Sequence, residues 1–314
     1  MRFAQVAIPA AVLTLCLCLV NVEPSTSAPS EQRSKKTKLT PASTPAPSPT
    51  PNSTPPAGVA GPSISKPRSE YHLPLGQTLV YGAVWRVFNA GTATLRVEQV
   101  GPEVRVVGTV DATGAAALLY HVRDRYESFL NPGTFCSRSI LKHTEEGLRR
   151  VETSLIFDYS RNQAVLEQKN LAKKEGKHTE HQVGGCVTDV LSALYYAGSL
   201  PLETGSTYQF PINDGGETLT VNLHVEAREQ LKTPAGTFNT IRVQPETPAG
   251  LLKDKGKIWI WYSEDAARIP VQARAHMYWG TLTFTLQRVA AIEKLVIHYS
   301  APLQPIENME KVGP

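Results

Sequence analysis

Between Ser69 and about residue 290 the chain alternates apolar and polar positions with a period of two. Thr281-Leu-Thr-Phe-Thr-Leu286 alternates without a break. Val221, Leu223, Val225 and Ala227 alternate with Asn222, His224, Glu226 and Arg228, and Leu79, Tyr81, Ala83, Trp85 and Val87 line one face of a further run. A period of two sends successive side chains to opposite faces of a strand, so these runs predict sheets packed on one face and wet on the other, the habit of antiparallel strands. Turn-forming clusters separate them: Asn89-Ala-Gly91, Gly101-Pro102, Asn131-Pro-Gly133, Asp214-Gly-Gly216, Pro234-Ala-Gly236 and Ser263-Glu-Asp265. About ten to twelve strands are predicted between Gln77 and Arg288.

One segment keeps a different period. In Thr188-Asp-Val-Leu-Ser-Ala-Leu-Tyr-Tyr-Ala-Gly198 the apolar residues Val190, Leu191, Leu194 and Tyr195 fall on one helical face, with cap-type residues in front and Gly198 as the stop. This predicts a short amphipathic helix, and Gly114–Leu119 predicts a weaker helical turn. In Gly256–Asp265, Trp259 and Trp261 share one face while Ile258, Ile260 and Tyr262 take the other. Such a strand is expected to be covered on both sides, one of them by the helix, with the tryptophans as core aromatics. Pro270 restricts Ile269 to an extended conformation and predicts a strand opening at a sheet edge. The expected fold is all-β and antiparallel, a single domain of about 220 residues. It forms an open or incomplete barrel, or a strongly curved sheet, with one short packed helix; the alternative is a two-sheet sandwich.

The ends change the picture of where this domain resides. Met1-Arg2 precedes an apolar stretch from Val6 to Val20, followed by Ser25-Thr-Ser-Ala28, the parts of a secretory signal over residues 1–27. The competing reading is a retained membrane anchor. Lipoprotein processing wants a small residue before its cysteine, whereas Leu15 and Leu17 precede Cys16 and Cys18. Residues 28–68 hold ten of the 24 prolines among Ser, Thr and Ala, a spacer with too little apolar surface to offset its ordering entropy. The remainder divides into a β-domain over 69–290 and a C-terminal strand and tail over 291–314. All readings of the N-terminus place the bulk of the chain outside the cytoplasm, periplasmic or secreted, with membrane contact only through an uncleaved N-terminus.

The formal charge of +4 is carried by the N-terminal segment. Residues 1–68 hold seven Lys and Arg against two Glu, leaving 25 basic and 26 acidic residues for 69–314. A near-neutral domain gives no reason to expect nucleic acid as a partner.

Several stretches resemble the DUF3108 family of bacterial exported proteins. They are Leu75–Trp85 with Ala90-Gly-Thr-Ala-Thr-Leu95, then Asp189–Tyr196, then Thr233–Val243, then Gly256–Asp265 followed by Arg268-Ile-Pro-Val271 and Tyr278-Trp-Gly280. The family's helix continues with Leu-Arg after its tyrosines, where Ala197-Gly198 stands in this chain. The resemblance implies an exported, largely β protein and no reaction.

Candidate chemistry is sparse. No G-x-S-x-G, Walker loop or G-x-G-x-x-G occurs, and Ser192 sits mid-helix as a small packing residue. His178-Thr-Glu-His181 ahead of Cys186 has zinc-ligand types, but it lies in the hydrophilic run Lys173–His178, read as a solvated turn, so neither metal nor cofactor is expected. Asp189 is expected to cap its helix, and Glu264 and Asp265 to cap a hairpin turn with Arg268 pairing locally. Trp85, Asp189, Tyr195, Tyr196, Trp259, Trp261 and Arg268 are the residues expected to line a pocket or fill the core. With the leader removed, Cys136 and Cys186 are the remaining cysteines, and an oxidising compartment favours a disulfide clamping the start of the helix to the sheet; the alternative is two buried thiols. The expected function is a non-catalytic extracytoplasmic binding module for an apolar or amphiphilic envelope molecule, a lipid or glycolipid. An envelope scaffold is the alternative and a hydrolase the third reading.

Overall fold

A computed structural model describes residues 63–247, 256–278 and 280–291. The segments expected to be a leader, most of a spacer and a tail beyond 291 lie outside the described residues. The first eight strands are β1 (Gln77–Trp85), β2 (Phe88–Val100), β3 (Glu103–Ala112), β4 (Val122–Leu130), β5 (Ser137–Glu146), β6 (Arg149–Asp158), β7 (Gln163–Asn170) and β8 (Glu175–Gln182). After them come β9 (Thr207–Ile212), β10 (Leu219–Thr233), β11 (Gly236–Glu246), β12 (Gly256–Ser263), β13 (Pro270–Met277) and β14 (Gly280–Ala291). Helix α1 (Gly114–Leu119) joins β3 to β4, and α2 (Val190–Ser199) lies between β8 and β9.

All fourteen strands form one antiparallel sheet in the order β8-β7-β6-β5-β4-β3-β2-β1-β14-β13-β12-β11-β10-β9. It is two meanders, β1–β8 and β9–β14, joined where β14 returns to pair with β1 from Gln77↔Ala291 to Trp85↔Leu282. The outer strands β8 and β9 do not pair with each other, so the sheet stays open. One continuous sheet replaces the sandwich alternative and matches the open, curved, barrel-like expectation.

Part of the excess of fourteen strands over the expected ten to twelve has an identifiable reason. Residues 175–182 have almost no apolar alternation, and they form β8 at the sheet edge, where neither face needs to be buried. The charged run therefore belongs largely to a strand rather than to a turn. β13 begins at Pro270, but it sits between β12 and β14 rather than at an edge. The missing N–H is tolerated because Pro270 is the strand's first residue, and its carbonyl accepts the Tyr81 hydroxyl at 2.6 Å.

Helix α2 differs from a surface amphipathic helix. Nine of its ten residues are buried, Leu194 being the exception, because the curved sheet surrounds it. Gly198, expected as the helix stop, lies inside the helix, which ends at Ser199. It is needed for close approach instead: a Cβ there would meet the Arg268 carbonyl oxygen at 3.0 Å and the Tyr262 ring at 3.3 Å. At the helix start, Cys136 and Cys186 form a disulfide with a Cα–Cα separation of 5.1 Å.

Two stability predictions follow from this packing. Gly198→Ala forces α2 and the β12–β13 turn apart and is expected to lower unfolding free energy by about 1–3 kcal/mol, read as a reduced urea midpoint. Replacing both cysteines by serine releases a 50-residue closure, worth about 4 kcal/mol in chain entropy. Equal midpoints for oxidised wild type and the double serine variant would remove the clamp from the account.

Candidate functional site

The residues around α2 bring together most of the expected site. Asp189 caps the helix with one carboxyl oxygen, Oδ1, which accepts from Leu191 N at 2.8 Å and Ser192 N at 3.1 Å. The other oxygen, Oδ2, accepts from Ser128 Oγ at 2.5 Å and Ser137 Oγ at 2.7 Å, hydroxyls supplied by β4 and β5. The Asp189 N–H is itself within 2.7 Å of Ser137 Oγ and 2.8 Å of Ser192 Oγ. All four side chains are buried, and the network anchors the helix.

The tyrosines of α2 serve the same interior. Tyr196 packs edge-on against Phe210 at 5.0 Å and tilts against Phe135 at 5.7 Å, and its hydroxyl accepts from Ser65 N at 2.8 Å. The hydroxyl of Tyr262, from β12, donates to the Leu194 carbonyl at 2.6 Å. Tyr195 is fully enclosed with its hydroxyl unpaired, and burial drives its ionisation far out of the ordinary range.

On the other side of α2, Ala193, Leu194 and Ala197 face Leu223, Ile258 and Ile260 across an apolar groove of about 50 Å³. Ile258 and Ile260 thus meet the helix, as the strand pattern predicted. Their neighbours do not share that fate. Trp259 and Trp261 project from the opposite face, which bears no helix and is dressed with charge. Trp259 Nε1 donates to Glu226 at 3.3 Å, Trp261 Nε1 donates to Glu229 at 2.7 Å, and the Arg274 guanidinium lies 5.3 Å over the Trp261 ring. Trp261 is buried as a core aromatic is, whereas Trp259 stays partly exposed, and the groups that cover this face are the stems and heads of Arg and Glu side chains. Trp85 is partly buried against the main core, with the Arg86 guanidinium 5.4 Å from its ring.

Arg268 is the departure with most physical content. Asp265 Oδ1 accepts from the backbone N–H of Arg268 at 3.0 Å, so the turn is capped as expected, but it is Arg228 that pairs with Glu264, at 3.3 Å. The Arg268 side chain is 6% exposed, its backbone is left-handed at φ 45°, and its Nε and Nη1 have no partner. Burial, then the neighbouring Arg68 and Arg228, hold its pKa below the usual guanidinium value.

Sequence reasoning missed the polar interior of the first meander, where alternation marks positions as inward without distinguishing a carboxyl from a leucine. Lys142 from β5 pairs with Asp214 of the β9–β10 turn at 2.5 Å, and burial pushes Asp214 up to about 6 against the pull of that ammonium. Nearby, Asp124 on β4 is raised to about 8 by burial and by Glu146, and Glu146 on β5 to about 7 by burial. Among the described residues no group of three His, Cys, Asp or Glu side chains converges to hold a metal ion. His178 instead lies 3.5 Å from both Glu167 and Glu180, and Cys186 is oxidised. No described helix is long and apolar enough to cross a membrane.

An open, barrel-like antiparallel sheet wrapped around one capped helix defines the class of protein. The chain belongs to DUF3108, a family of proteins of unknown function, whose profile matches residues 79–287. None of the curated proteins compared with it matches. Among solved structures it is similar to a β-barrel-like DUF1849 protein from Brucella abortus, at 7% identity and a TM-score of 0.45 over 68% of this chain and 97% of that one. It is also similar to a Bacteroides fragilis protein described as exported, with a YmcC-like fold, at 12% identity and a TM-score of 0.31 over 70% and 98%. A Parabacteroides distasonis protein described as a lipoprotein gives 11% identity and a TM-score of 0.28 over 70% and 98%. At this level of overlap none of the three bears on function.

The carboxyl pair generates a pH prediction. Both folded-state values lie above those of an unfolded chain, so protonation favours the fold, and the contribution is complete below about pH 4 and lost as pH rises through about 7 and 8. An Asp124→Asn/Glu146→Gln variant is therefore expected to gain stability relative to wild type between pH 5 and pH 9. Urea midpoints that run parallel across that interval would contradict the assignment.

Proposed function

We propose that this protein is an extracytoplasmic, non-catalytic binding module for an apolar or amphiphilic envelope molecule, a lipid or glycolipid. The observation that carries the reading is the groove between α2 and the β10–β12 surface, lined by aliphatic side chains and Phe210. Its volume of about 50 Å³ is well below the roughly 150 Å³ of an apolar cavity that holds benzene. The groove thus receives the end of an acyl chain, and a longer ligand enters as Leu194, the helix residue that is not fully buried, swings aside. The disulfide supports an oxidising compartment. The burial of Ser128, Ser137 and Ser192 in the helix cap supports binding over hydrolysis.

The scaffold alternative, strand addition at a sheet edge, has less support. β8 presents Glu175, Lys177, His178 and Glu180 along its edge, charges of the kind that discourage pairing. At the other edge, Thr188 bridges Ile212 of β9 and Asn213 N donates back to the Thr188 carbonyl at 2.8 Å, which occupies part of that strand.

Native mass spectrometry of the protein purified from its own envelope fraction tests the proposal. A bound species of lipid-like mass is expected, together with at least a tenfold lower occupancy in Ala193→Leu, which fills the groove, at an unchanged urea midpoint. Wild type that carries nothing, or a variant that carries as much, overturns it.

A further inference from the structure

The antiparallel alternation sends the β1–β2, β3–β4, β5–β6, β7–β8 and β13–β14 connections to one end of the sheet. Among the described residues, that end collects the most exposed large apolar side chains. Val87 (82%), Phe88 (65%), Leu118 (90%), Leu119 (74%), Leu148 (95%) and Tyr278 (80%) all stand in or beside these turns, while the other large apolar residues with marked exposure reach only 41–46%. Leu118 and Leu119 are carried by α1, none of whose residues is buried. Exposed apolar side chains gathered this way mark an interaction surface.

The same turns carry cations. Arg149 and Arg150 follow Leu148, and Lys173 and Lys174 form the β7–β8 turn. Arg149 lies 3.5 Å from Glu146 and Arg150 stands across from Glu145, whereas Lys173 and Lys174 make no ion pair with another described residue, and the exposed acids in the described part of these turns and the β9–β10 turn are Glu175 and Glu217. On the outer face, just inside this end, Arg86 and Arg274 flank an open depression of about 540 Å³ with Trp259, His276, Thr281 and Thr283. Two guanidiniums, an indole and hydroxyls are the groups that receive a phosphate beside an acyl boundary.

We propose that this end of the sheet docks onto an anionic lipid surface. The six apolar tips are spread over four separate turns, two as adjacent pairs (Val87-Phe88 and Leu118-Leu119) and two as single residues, so a rigid protein partner would need a matching set of pits, whereas a fluid interface moulds to each tip. The interleaved cations match the negative headgroups at that depth. The docking is a property of the rim and holds whether or not the groove is occupied.

Hydrogen exchange of the full chain tests it, because that readout follows the rim itself, independently of any contact made by residues 1–27. With phosphatidylglycerol-containing vesicles, amides in 86–88, 114–121 and 147–150 are expected to exchange at least tenfold more slowly. Pure phosphatidylcholine vesicles should slow them less than twofold, and the opposite-end turn at 131–135 should be unchanged. In Leu118→Asp/Leu119→Asp/Leu148→Asp, whose side chains are solvent-exposed, the slowing should vanish at an unchanged urea midpoint; a parallel Arg150→Gln/Lys173→Glu/Lys174→Glu variant should lose it too. Rim amides indifferent to vesicles, or protected equally in both variants, overturn the proposal. Protection that grows with protein concentration alone assigns the rim to a second copy of this chain and overturns it as well.

Discussion

The structure depends on how one buried carboxyl group is satisfied. Asp189 is withdrawn from water, and leaving its oxygens unpaired there would cost several kcal/mol. One oxygen closes the first turn of α2 while the other holds hydroxyls from β4 and β5. The helix therefore takes its orientation from the sheet that grips it. The disulfide at the preceding cysteine and the Ser137 N–Val187 carbonyl bond of 2.9 Å fasten the same junction. At the far end, Gly198 lets the Arg268 carbonyl and the Tyr262 ring close onto the helix.

That central helix explains why a fourteen-stranded sheet need not close. A sheet this long normally curls or splits; here α2 supplies the inner packing that barrel closure would otherwise provide. The open edges are managed separately, one by charge and one by the bridge from Thr188 to Ile212. The second meander is packed by aliphatic residues against α2, whereas the first encloses Lys142, Asp214, Asp124 and Glu146. A buried ion pair such as Lys142–Asp214 adds little net stability over an apolar replacement, but it is costly to break. It fixes where the β9–β10 turn lies against β5.

The outer face shows how a charged coat buries aromatic surface. Arg242 bonds Glu226 and Glu229 at 2.7 and 3.0 Å, and those carboxylates in turn receive Trp259 and Trp261. Trp261 is thereby as buried as a core residue with no apolar layer above it. Two tryptophans at alternate positions are compatible with either arrangement, and the cross-strand neighbours that decided it lie about 30 residues away in the chain.

Period-two alternation by itself determined the antiparallel β class, most strand positions and the wet outer face, because side-chain direction in a strand is a local property. Local chemistry also determined the cap at Asp189, the short α1 turn, the Asp265 turn cap and, through the count of cysteines outside the leader, the Cys136–Cys186 pair. Tertiary structure alone decided that α2 is buried nearly all round, that β8 is a strand despite its polar sequence, and that Gly198 serves a close approach. It also decided that Arg268 is buried with Nε and Nη1 unpaired among the described residues and that Asp124 and Glu146 share one interior. Each of these depends on which residues from distant strands arrive at the same place, and strand pairing over separations as long as Gln77↔Ala291 leaves no mark on the residues beside it.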